Sequence, residues 1–81
     1  MTENKMSYEE MRQKSKEEKR IKNRIAALEK DIEALEKQMK ELEHKMTLTT
    51  EKDEILELTR SYLECKRDLD YKTEQWGELI D

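Results

Sequence analysis

An apolar residue recurs at alternating spacings of four and three along the middle of the chain. The eight positions are Ile21, Ile25, Leu28, Ile32, Leu35, Met39, Leu42 and Met46. A seven-residue repeat of this kind, sustained over about four heptads, is the pattern by which one helix buries a narrow seam against another. The repeat therefore predicts an all-α protein whose function depends on helical surfaces.

The composition excludes most other kinds of fold. Charged residues make up 47% of the 81 residues and hydrophobic residues 33%, with one Gly and no Pro. A chain this short and this polar cannot fill a globular core, so we expect one coiled-coil domain. Because there is no Gly-rich phosphate loop and no cluster of catalytic side chains, we expect neither an enzyme nor a bound cofactor in this chain. The one cysteine, Cys65, excludes an internal disulfide and favours a reducing, cytoplasmic location.

The first helix has a clear start signal. Residues 1–6 show no hydrophobic period, and we expect a loose lead there. Ser7 and Glu10 have the spacing of a capping box, and Met6 and Met11 stand at the positions of a hydrophobic staple. No apolar run approaches the ~20 residues that a membrane span needs, so we expect no membrane partner.

A break is predicted at residues 47–50. Three of these four residues are threonine, whose branched, hydroxyl-bearing side chain disfavours helix interiors and favours caps. Thr50 and Asp53 have the spacing to cap a second helix. The chain is therefore predicted to form a helix over 7–46, a loop and a helix over 51–80.

The second helix carries a matching seam. Its positions are Ile55, Leu58, Tyr62, Cys65, Leu69, Lys72, Trp76 and Leu79. One of these core positions holds a lysine, whose stem can pack while its charge reaches solvent. Two matching seams joined by a short loop predict an antiparallel two-helix coiled-coil hairpin.

The loop also predicts a register. Folding the chain at the middle of the loop places Lys72 opposite Ile25 and Trp76 opposite Ile21, and a slip by one heptad stays open as an alternative. The second helix would then end near Glu17, so that residues 7–16 project beyond it.

Basic residues are concentrated just before the seam. Residues 12–24 hold seven Lys or Arg and two Glu, a net charge of +5, whereas residues 25–81 hold nine bases and sixteen acids, a net charge of −7. The seven basic residues are Arg12, Lys14, Lys16, Lys19, Arg20, Lys22 and Arg24. Four of them recur every fourth residue from Arg12 to Arg24, along about 18 Å of helix. This pattern predicts binding of nucleic-acid phosphates, and a solvated helix face is the alternative.

Several segments together resemble one protein family. They are the start Ser7–Glu10, the charged run Lys16–Arg20, the heptads Ile25–Glu36 and the ending Tyr71–Leu79 with its Trp76. In this order they are similar to the C-terminal coiled-coil domain of ABC-F ATPases of the Uup type. The family's loop is usually longer and contains proline, whereas Thr47–Glu51 contains none, and Gly77 is less helical than the family norm.

The resemblance carries its own implications. It implies a cytoplasmic parent protein with two ATP-binding cassette domains, which act on the ribosome in translation and use ATP and Mg. It also implies that this domain binds DNA or ribosomal RNA, and residues 12–24 are where such contact is expected. The alternative is a structural, self-associating coiled coil, such as a homodimer, that joins or spaces other domains. An arm of the kind found in RNA polymerases or chaperones also stays open.

Overall fold

A computed structural model describes residues 7–81, which form two α-helices and no strand. Helix α1 is Tyr8–Leu48, with 41 residues, and α2 is Lys52–Ile80, with 29 residues. The two helices pack against each other, which confirms the predicted all-α hairpin. The predicted loose lead, residues 1–6, lies outside the described residues.

The start of α1 follows from its cap. The Ser7 hydroxyl accepts a hydrogen bond from the Glu10 backbone N–H at 3.2 Å, and the Ser7 carbonyl accepts one from the Met11 N–H at 3.0 Å. These bonds satisfy donors that a helix start otherwise leaves without partners. The other member of the proposed staple, Met6, lies outside the described residues.

Helix α1 ends at Leu48, two residues later than the sequence predicts. The Thr47 hydroxyl donates a hydrogen bond to the His44 carbonyl at 2.6 Å, so this threonine is accommodated inside the last turn. A threonine side chain can satisfy its hydroxyl on the preceding turn in this way, which removes much of the conflict with helix.

The loop uses a different threonine from the predicted one. The Thr49 hydroxyl accepts a hydrogen bond from the Glu51 N–H at 3.2 Å and donates one to the Glu54 carboxylate at 2.5 Å. The N-cap of α2 is Glu51, which makes no side-chain cap bond. The predicted cap by Thr50 and Asp53 is therefore wrong, because Thr49 already reaches into the first turn of α2.

Side-chain contacts show that the helices are antiparallel. Four pairs bridge them: Arg24 with Gln75, Glu29 with Trp76, Asp31 with Lys72, and Glu43 with Tyr62. The partners of residues 24–31 of α1 lie at 72–76, near the end of α2, whereas Glu43, near the end of α1, meets Tyr62 in the first half of α2. The chain thus reverses at residues 49–51.

The first of the two predicted registers is wrong, and the alternative, a slip of about one heptad, is the one observed. The Trp76 indole N–H donates to the Glu29 carboxylate at 3.1 Å, although the prediction placed Trp76 opposite Ile21, eight residues or about 12 Å away along α1. The Lys72 ammonium group lies 3.0 Å from the Asp31 carboxylate, six residues beyond its predicted level.

The shift has a simple physical reason. Because both seams repeat every seven residues, sliding α2 by one heptad again sets apolar positions opposite apolar positions. The seams cannot choose between these registers, so the geometry of the loop decides. The contacts place Trp76 at the level of Leu28 and Lys72 at the level of Ile32.

The core is narrow. Only Leu28, Leu42 and Cys65 are buried among the described residues, with exposed fractions of 1%, 9% and 6%. The other seam positions between residues 25 and 46 are half-buried, while Ile21 and Ile55 at the ends of the seam are exposed. A two-helix seam buries side chains on one side only, so most of its positions stay half-buried.

Candidate nucleic-acid interface

The first half of α1 extends beyond α2. The interhelical hydrogen bond nearest this end joins Arg24 to Gln75 at 2.9 Å, and every residue from 7 to 24 is exposed. We call residues 8–24 the basic arm; its seventeen residues span about 25 Å of helix. It is longer than the predicted projection of residues 7–16, because the register shift draws the end of α2 towards the loop.

The basic arm has no apolar seam of its own. Continuing the alternation of four and three backwards from Ile21 reaches Glu18, Lys14 and Met11. Two of these three positions are charged, so this stretch of α1 offers no continuous apolar stripe to another helix. The local sequence therefore explains why the arm is a single exposed helix.

All seven predicted site residues lie on the basic arm and are exposed. Within residues 7–81, the ion pairing of these side chains is limited to Arg20, whose guanidinium lies 3.6 Å from the Glu17 carboxylate. That pair is largely solvent-exposed, so it holds Arg20 only weakly. Arg24 differs from the others because its hydrogen bond to Gln75 ties it to the hairpin.

Helical geometry groups four of the seven on one face. At 100° per residue, these four fall within an arc of about 100°, on the side of α1 opposite the seam. They are Arg12, Lys16, Lys19 and Arg20. Lys14 occupies a seam position, Lys22 and Arg24 lie on the two flanks, and these three do not join the cluster.

The same face continues into the hairpin, which the sequence prediction missed. Stepping by seven from Lys16 along α1 reaches Asn23, Lys30 and Lys37, all exposed and all on the side away from α2. We call this set and the four clustered residues the basic face. From Arg12 to Lys37 it extends over 25 residue steps, about 37 Å. The seven-residue spacing of Lys16, Asn23, Lys30 and Lys37 was the signal in the sequence.

Helix α2 presents the opposite charge. On the side away from α1 it carries the acids Glu57, Glu64, Glu74 and Glu78 with the bases Arg60 and Arg67. A polyanion would be repelled from this side and attracted to the basic face. The hairpin is therefore electrostatically two-sided along its length.

The two aromatic residues of the seam interact with side chains of α1. The Trp76 indole bonds Glu29, and the Tyr62 hydroxyl bonds the Glu43 carboxylate, which raises the pKa of Tyr62 above its ordinary value. Both residues are half-buried. They are thus core residues of the hairpin and not platforms on which a base could stack.

The described residues offer little support for a metal site, a reactive thiol or a membrane span. No group of three or more His, Cys, Asp or Glu side chains between residues 7 and 81 could hold a metal ion. The Cys65 thiol is buried in the seam. Neither α1 nor α2 contains a stretch apolar enough to cross a membrane.

Comparisons with known proteins add no identification. The chain matches no protein-family model, no curated protein and no solved structure. The resemblance to the ABC-F coiled-coil domain therefore stays a prediction that depends on the residues quoted for it.

Proposed function

We propose that this chain is a helical hairpin that binds the phosphate backbone of nucleic acid through its basic arm and basic face. The observation that carries the proposal is a helix segment with a net charge of +5 that extends past its partner helix with its basic side chains in solvent. Lysine and arginine in such a row release condensed counterions from phosphates, which favours binding without sequence preference.

The geometry favours a duplex as the ligand. The basic face is a straight row of about 37 Å, close to the length of one turn of a double helix, about 34 Å. Between Arg12 and Lys37 this face carries no aromatic side chain, and aromatic groups are what single-strand binders use for stacking. The exposed Tyr8 lies one turn before Arg12. Contact with backbone phosphates along one side of a duplex needs only the positive charges.

We further propose that the parent protein is an ABC-F ATPase of the Uup type. The segments from Ser7–Glu10 to Tyr71–Leu79 support this proposal by their resemblance to that family's C-terminal domain. The nucleic acid would then be DNA or ribosomal RNA. The partners would include ATP-binding cassette domains that hold ATP and Mg, and the location would be cytoplasmic.

A salt titration tests the binding proposal. Fluorescence anisotropy with labelled duplex DNA and with structured RNA is measured at several salt concentrations. We expect affinity to fall steeply with salt, with a slope of about −4 to −5 on a double-logarithmic plot if about five phosphates are neutralised. An affinity that does not respond to salt would refute the proposal.

Two variants with equal charge separate the basic arm from general electrostatics. The arm variant changes the four clustered residues to Gln: Arg12, Lys16, Lys19 and Arg20. The control variant changes four other exposed bases to Gln: Lys45, Lys52, Arg60 and Arg67. Both variants change the net charge of the chain from −4 to −8.

We expect the arm variant alone to lose binding and to reduce the salt slope by about 3 to 4. Equal losses would show that net charge, and not the arm, drives binding. If neither variant changes the affinity, contact through the basic arm is excluded.

A further inference from the structure

Helix α2 carries a second stripe of regularly spaced residues beside its seam. Each member follows a seam residue by one position, so the stripe lies about 100° round the helix from α1. Its members are Leu56, Thr59, Leu63, Lys66, Asp70, Thr73, Gly77 and Ile80. We call it the lateral stripe. It extends over 24 residues, about 36 Å.

The lateral stripe combines three exposed apolar side chains with a net charge of zero. Leu56, Leu63 and Ile80 are 56%, 53% and 49% exposed. Its two charges, Lys66 and Asp70, lie 3.9 Å apart and offset each other. Nearly half of the residues in the chain are charged, so a face this poor in net charge is suited to packing against another protein surface.

The polar members of the stripe are compatible with a packed interface. The Thr59 hydroxyl donates to the Ile55 carbonyl at 2.7 Å, so its proton is already used within α2. Gly77 has no side chain, and a Cβ built there would meet nothing within 4 Å, which leaves room for a second helix to approach its backbone.

The stripe is complementary to itself when read in the opposite direction. An antiparallel second copy with its two-fold axis at residue 68 sets Leu56 opposite Ile80 of the second copy. The same axis sets Lys66 opposite Asp70 of the second copy, and Asp70 opposite Lys66. The remaining pairs, Thr59 with Gly77 and Leu63 with Thr73, carry no charge. The patch is therefore complementary to its own reverse in charge, which an isologous dimer requires.

We propose that the chain forms an antiparallel, two-fold symmetric dimer through the lateral stripe. The interface is small, with few large apolar side chains, and interfaces below the standard ~800 Å² per partner are typical of weak association. We therefore expect a concentration-dependent dimer with a dissociation constant of about 10⁻⁵ to 10⁻³ M. The basic face lies on α1, away from this stripe, so the dimer leaves it accessible and goes beyond the proposed function.

Sedimentation equilibrium tests the proposal on the full chain, up to a concentration of about 1 mM. The variant Lys66→Asp puts an acid opposite Asp70 at both symmetric contacts, and we expect the dimer to weaken about four- to thirtyfold. Asp70→Lys has the mirror effect. The double variant Lys66→Asp/Asp70→Lys restores opposite charges and restores the dimer. Lys37→Asp, on the outer side of α1, makes the same charge change and leaves the dimer unchanged.

Leu63→Gln provides a second measure that does not depend on charge. Leu63 is already half exposed, so the hairpin stays folded, which circular dichroism verifies, while the dimer weakens. A chain that stays monomeric at the highest concentration would overturn the proposal. So would a dimer that Leu63→Gln leaves unchanged, or one that the charge swap does not rescue. Nucleic-acid binding by the Lys66→Asp monomer is expected to persist, so the two proposals fail separately.

Discussion

Leu28→Ala is the most informative single test of how this hairpin is held together. Leu28 is 1% exposed and lies on α1 at the level of Trp76 of α2. Truncation of a fully buried leucine costs about 2–5 kcal/mol. In a two-helix rod water and neighbouring side chains can enter the space, so we expect the lower part of that range, about 2–3 kcal/mol. For a domain of this size that corresponds to a fall in melting temperature of about 10–20 °C.

Thermal and urea unfolding followed by circular dichroism measure this loss, and Leu48→Ala is the matched control. It makes the same chemical change at a residue that is 71% exposed, so we expect a loss below about 0.5 kcal/mol. Ile21→Ala adds a test of the register. Ile21 is 37% exposed, so its truncation is expected to cost clearly less than that of Leu28, whereas packing under Trp76 would make the two costs similar. Equal effects of Leu28→Ala and Leu48→Ala would refute the packing argument.

Three further predictions follow from single contacts. Lys72→Leu is expected to stabilise the hairpin by about 0.5–1.5 kcal/mol in urea unfolding, because it fills a seam position and gives up only a partly exposed ion pair with Asp31. Gly77→Ala is expected to raise the melting temperature, with a gain of up to about 1 kcal/mol, since nothing lies near the new methyl group and alanine favours helix. Tyr62 has a raised pKa in the folded state, so its bond to Glu43 contributes stability below about pH 10 and is lost as pH rises through the folded-state pKa. Tyr62→Phe is expected to remove this alkaline loss, which unfolding measured across the alkaline range would show.

The heptads determine the fold but not the register. Positions such as Leu28, Leu42 and Cys65 are apolar at seam spacing, and these are the residues that the structure buries. The heptads do not determine the register, because sliding one helix by seven residues again sets apolar positions opposite apolar positions. Polar contacts such as Trp76 to Glu29 reveal it, and those contacts have no periodic signature in the sequence.

The start of α1 was predictable from the sequence, whereas the hydrogen bonds of the loop were not. Ser7 is recognisable as a cap because serine and Glu10 form a known local motif, and its hydroxyl bonds the predicted N–H. Residues 47–50 hold three threonines, and the hydroxyl of each could hydrogen-bond the start of the second helix. Which of them does so depends on where the chain turns, so local propensity could not distinguish Thr49 from Thr50.

The position of the candidate site was predictable, but its extent was not. Counting charges located the seven basic residues in residues 12–24, yet it treated them as one patch. Only the helix geometry separates the clustered residues from Lys14, which lies on the seam side, and from Arg24, which bonds Gln75. The continuation to Lys30 and Lys37 was missed because those lysines lie in an overall acidic part of the chain.

The unequal lengths of the two helices connect the fold to the proposed function. Helix α1 is twelve residues longer than α2, and the apolar seam of α1 ends at Ile21, close to where α2 ends. Had the seam continued to residue 11, the basic arm would present an apolar stripe that another helix could cover. With charged residues at Glu18 and Lys14, packing alone does not stabilise the arm, and isolated helices of this length are marginal in water. Phosphate contact would offset the repulsion between its like charges, so binding of a polyanion should also increase the helicity of the arm.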